Sequence, residues 1–151
     1  MDAAEIPSPA MAEAVRHLIG RYVEAADRGR AEDLAALFLP DGVLEIKGHT
    51  FDAGRYEGRA EIAARIAANV GAATGPGIIR HHVSSLRIAP LGLSEARADC
   101  YFLAVTAVGP DHWGRYRDSV DLASGSALFA RREVVHEGFA PGSWLENQTS
   151  V

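Results

Sequence analysis

The chain has 151 residues, 48% hydrophobic and 23% charged, with a formal net charge of −5. That length suits one domain with a sizeable core, and the composition is that of a globular chain, which excludes intrinsic disorder. The acidic balance lacks the basic footprint that phosphate backbones demand, so nucleic acid is not an expected partner.

Ser8-Pro9 predicts a helix start, with a hydroxyl to cap and a proline at the first helical position. Val15, Leu18, Ile19, Tyr22, Val23 and Ala26 then recur at helical spacing, and Gly29 marks a stop. A short second helix is expected over Ala31–Phe38, ended by the turn signal Pro40-Asp41-Gly42. Val43–Lys47 reads as a strand and Gly48–Gly58 as a hairpin or irregular loop. Arg59–Val70 reads as a third helix, and Gly71–Gly77 as a loop. From there the period changes to two. Ile78–Ile88, Ala96–Val108, Gly114–Leu122 and Ala127–His136 are strand-like runs separated by Pro, Gly and Ser. Helices followed by a meander make an α+β fold. The expectation is a single domain over 1–151, with a core at about 10–137 and a tail over 138–151.

Polar residues on apolar faces carry the functional signal. Asp27 falls on the packed face of the first helix, in its last turn, where the helix dipole disfavours a carboxylate. A buried carboxylate that faces a cavity and pairs with a histidine would account for both costs. An early helix end, leaving Asp27 a solvated turn residue, is the competing reading. His81 and His82 are neighbours in one strand, so alternation turns one inward and the other outward. Their apolar partners do not choose between them: Val83 shares a face with His81, while Leu86 and Ile88 share one with His82. Asp118 lies on the apolar side of its strand and Arg132 on that of the next, which suggests a buried ion pair. Tyr22 and Tyr101 can present phenols to a cavity, while Trp113, Trp144, Phe38 and Phe102 read as wall or core.

Apolar runs are short and broken by charges, so no membrane-spanning helix is expected. The first residues lack the order of a secretory signal, and a cytoplasmic location is the default. Cys100 is the only cysteine, so no disulfide framework or cysteine metal cage can form. The six histidines show no recognisable metal spacing, and neither a metal nor a cofactor is expected.

The run RYVEAADRGRAEDLAALFLPDGVLEI, followed in order by RHHVSSLRI, ARADCYFLAV, GRYRD and ARREVV, resembles SnoaL-like members of the nuclear-transport-factor-2-like superfamily. The resemblance implies a cone-shaped α+β barrel. Three N-terminal helices would pack on a strongly curved, mixed but mostly antiparallel sheet, with a pocket at the open end and a homodimer through the outer sheet face. It further implies an Asp–His dyad, matching Asp27 and His81, of the kind used by the scytalone dehydratase and dehydrochlorinase branch. The function expected is a cofactor-independent lyase or isomerase acting on a small apolar, aromatic or polycyclic molecule. Tyr22, Tyr101, His82, Asp118 and Arg132 are the candidate substrate contacts. The alternatives are a non-catalytic binding or dimerisation domain, or the small subunit of a ring-hydroxylating oxygenase.

Overall fold

A computed structural model describes residues 5–72 and 78–146. Helix α1 spans Pro9–Asp27, and the Ser8 hydroxyl accepts the Met11 N–H at 3.1 Å, satisfying one of the free donors at a helix start. Its apolar face buries Val15, Leu18, Ile19, Tyr22 and Ala25. Gly29, at φ 65°, ends it, while Arg30 donates its N–H back to the Ala25 carbonyl at 2.9 Å. The short helix α2 covers Ala31–Ala35, and α3 covers Gly58–Ala72.

Six strands form one open sheet: β1 Phe38–Lys47, β2 Gly54–Glu57, β3 Arg80–Pro90, β4 Glu95–Thr106, β5 Gly109–Asp121 and β6 Leu128–Phe139, in the order β2-β1-β6-β5-β4-β3. All pairings are antiparallel except β1 with β6. The fold is therefore α+β and cone-like, but the sheet does not close into a barrel; β2 and β3 are its two edges.

Several boundaries differ from expectation. Phe38 opens β1 and does not end α2, and Pro40-Asp41-Gly42 lies within the strand, where the register with β6 shifts between Phe38 and Val43. This irregularity absorbs the proline that a regular ladder rejects. Gly71 and Ala72 belong to α3; the rest of the loop expected there, 73–77, lies outside the described residues. The tail expected from 138 instead begins after Phe139, because β6 continues that far.

Bulges decide which side chains face inward. In β3 the register with β4 shifts between Ser84 and Arg87, and Ser85 takes φ 55°. Parity flips there, so His81, Val83, Leu86 and Ile88 all become half-buried on one face. In β5 the shift against β4 turns both Asp111 and His112 inward, side by side. A third shift, opposite Val120, brings Phe129 onto the same face as Arg132.

Arg132 is fully buried beneath this face. Its guanidinium forks onto Asp118 at 2.8 and 2.7 Å. The rings of Tyr116, Tyr22 and Phe129 surround it at 4.0, 4.1 and 4.4 Å from their centroids. Burial works against the charge, and the Asp118 carboxylate outweighs that, so Arg132 stays protonated. Arg132→Met alone strands the Asp118 carboxylate and should destabilise the protein by about 3–5 kcal/mol in urea unfolding at pH 7. The double change Arg132→Met with Asp118→Leu should recover most of that loss. A double variant as unstable as the single would contradict this account of the pair.

Candidate active site

A cavity of about 620 Å³ opens between α1, α3 and the concave face of the sheet. Tyr22 and Tyr116 form part of its floor, each with Arg132 over its ring, and Phe102 stacks on Tyr116 at 4.6 Å. Burial pushes both phenols up, so they remain protonated donors.

Asp27 and His81 meet in the wall. Asp27 is the last residue of α1, and its side chain is only 7% exposed. Its Oδ1 lies 2.6 Å from His81 Nδ1, and its two oxygens also accept the His81 main-chain N–H at 3.2 and 3.1 Å. These donors compensate the unfavourable end of the helix dipole. A carboxylate can only accept, so Nδ1 carries a proton, and in the neutral form of the ring Nε2 is the acceptor.

A second carboxylate–imidazole pair, not found in the sequence reading, lies across the same wall. His112 Nδ1 is 2.7 Å from Asp111 Oδ1, both side chains are buried, and the His112 ring centroid is 6.0 Å from that of His81. Asp111 also accepts from Ser143 Oγ at 2.5 Å, Thr106 Oγ1 at 2.8 Å and the Trp144 N–H at 3.1 Å. Burial raises its carboxyl, but these hydrogen bonds more than offset that and hold it below the usual range. Burial lowers His112 despite its partner. Both residues precede the run that alternation identified as a strand, and only the bulge turns them inward.

His136, on β6, completes a row of imidazoles around Phe102, whose ring lies 6.0, 6.3 and 5.7 Å from those of His81, His112 and His136. Its Nδ1 is buried and without a partner, and burial lowers its pKa to about 4. The Asp111 bonds to Ser143 and Trp144 also pin the segment after β6 across the cavity, so that Trp144 stacks on His112 at 6.3 Å. Among the described residues no group of three or more His, Cys, Asp or Glu could hold a metal ion, and no helix is long and apolar enough to cross a membrane.

The remaining candidates fall elsewhere. Tyr101 is 56% exposed, because Cys100 and Phe102 take the inner side of β4. His82 is exposed for the same reason of alternation against His81. Asp118 and Arg132 are engaged with each other below the floor and do not line the cavity. Of the proposed substrate contacts, Tyr22 alone does.

A family model described as a SnoaL-like domain matches residues 10–133. No curated protein matches the chain. A structure from Catenulispora acidiphila in complex with S-DNPA is 30% identical, covering 85% of this chain and 95% of that one, with a TM-score of 0.70. A candidate scytalone dehydratase from Novosphingobium aromaticivorans is 24% identical over 87% of each chain, with a TM-score of 0.72. The β subunit of a candidate aromatic-ring-hydroxylating dioxygenase from the same organism is 17% identical, covering 85% of this chain and 90% of that one, at a TM-score of 0.69.

The His136 shift carries a pH signature. The ring is neutral when folded but takes a proton when unfolded below its ordinary value of 6.5, so its contribution is complete above that pH and is lost as pH falls toward 4. Unfolding free energy should drop by roughly 3 kcal/mol over that window from this group. His136→Phe should flatten the slope measured by urea unfolding between pH 7 and 4, and an unchanged slope would refute the assignment.

Proposed function

The chain belongs to the SnoaL-like domain family, and we propose that it is a cofactor-independent lyase or isomerase acting on an apolar cyclic carbonyl compound. The observation that carries this reading is the 2.6 Å contact between Asp27 and His81 Nδ1 in the cavity wall. His81 Nε2 takes a proton α to the carbonyl, and the electron pair moves into the carbonyl to leave an enolate. Asp27 orients the imidazole and balances the imidazolium charge. The Tyr22 phenol, kept protonated by burial, donates a hydrogen bond to the enolate oxygen. The proton then returns at another carbon, which is isomerisation, or a β-substituent departs with the electron pair, which is elimination.

The 30%-identical relative bound to S-DNPA supports a small molecule as the occupant of such a cavity. An oxygenase-subunit role rests on fold alone and does not account for a carboxylate-held base in the wall. The outward rings of Tyr101 and Trp113 support a homodimer through the outer sheet face.

The test is exchange of α-protons of 2-tetralone into D2O, followed by NMR. The protein should accelerate it, and His81→Ala and Asp27→Asn should each reduce the rate by roughly 10²–10⁴. If both variants exchange as fast as the unaltered protein, the dyad has no catalytic role.

A further inference from the structure

We propose that Asp52 and His136 form a hydroxyl-binding subsite, in which one neutral alcohol or phenol group of the ligand bridges the two side chains. The inference rests on reading the cavity as a small-molecule site and does not depend on the proton transfer.

Asp52 lies in the turn between β1 and β2, is 5% exposed and lines the cavity. Its surroundings are built to hold it. Arg65 Nε donates to Asn69 Oδ1 at 2.9 Å, which orients the amide so that Asn69 Nδ2 donates to Asp52 Oδ2 at 3.1 Å. The Tyr56 hydroxyl donates to the Asp52 carbonyl at 2.6 Å. With the residue fixed in this way, Oδ1 is buried and without a partner.

The cavity-lining His136 has the complementary vacancy at Nδ1. The two belong to adjoining parts of the wall. Gly48, four residues before Asp52, packs so closely on His136 that an added Cβ would sit 3.0 Å from its Cβ. The Asp52 charge reaches the His136 ring. Buried polar atoms in folded chains almost always have a partner, in protein or in water, and a hydroxyl of the ligand is the partner proposed for these two.

The chemistry of the two atoms selects that partner. A carboxylate oxygen needs a donor, and His136, in the Nδ1-protonated tautomer proposed for it, needs an acceptor. A hydroxyl supplies both at once. A ketone or ether has no proton for Asp52, an ammonium has no lone pair for His136, and a carboxylate would meet the Asp52 charge.

Calorimetric titration of the full chain with 2-naphthol and with 2-methoxynaphthalene, which lacks only the donor, tests the proposal. Naphthol should bind about ten-fold or more tightly, as expected for a hydrogen bond to a charged acceptor. Asp52→Asn presents an amide NH2 where the acceptor was and should reduce the ratio to about two-fold or less; His136→Phe should reduce it as well and serves if the first variant fails to fold. His81→Ala should keep the ratio. A ratio that survives Asp52→Asn and His136→Phe but collapses in His81→Ala places the hydroxyl at the other pair and overturns the subsite. Equal binding of both probes to the unaltered protein overturns it too. Binding of neither overturns the small-molecule reading of the cavity along with it.

Discussion

The carboxylate at the C-terminal end of α1 is the contact on which the cavity depends. Asp27 accepts the main-chain N–H and faces the ring of His81, so one side chain ties the first helix to the edge strand β3. Without it, a negative group would remain buried at the negative end of a helix, next to a strand paired on one side only. In the neutral ring the same bonds that secure the helix place the proton on Nδ1 and leave Nε2 as the acceptor. In the proposed reaction, structure and chemistry share this one interaction.

Around that contact the sheet uses bulges to assemble what regular alternation cannot. The irregularity at Ser85 keeps His81 and the apolar residues of the second half of β3 on one face. The one beside His112 turns two consecutive residues inward, one as a cavity-facing ring and the other as its anchor. Asp111 is then used twice, for His112 and for the segment carrying Ser143 and Trp144. Beneath the floor, Arg132 and Asp118 neutralise each other and support the rings of Tyr22 and Tyr116. The charged scaffold is thereby kept apart from the polar wall.

Much of the fold was legible because its signals are local. The Ser8-Pro9 start, the apolar face of α1 and the change of period after residue 78 each depend on a few neighbouring residues. Asp27 stood out because its position carries a cost that local physics does not explain. The parts that were not legible turn on register. His81 and His82 could not be separated while the bulge at Ser85 was unknown, because Val83 and Leu86 argued for opposite faces. His112, Asp111 and His136 read as loop or strand-end residues, since a one-residue bulge in β5 and the true length of β6 leave no clear mark in composition. Tyr101 was misassigned for a simpler reason: an aromatic residue in an alternating strand does not announce which face is the concave one.

The central claim is that His81 is a base at Nε2, held by Asp27. The most direct measurement is a ¹⁵N NMR spectrum of the imidazole nitrogens of the unaltered protein and of Asp27→Asn, under conditions in which the ring is neutral. The account requires the His81 proton on Nδ1, with a bare Nε2, and loss of that preference when Asp27 becomes Asn. A proton on Nε2 in the unaltered protein would contradict it.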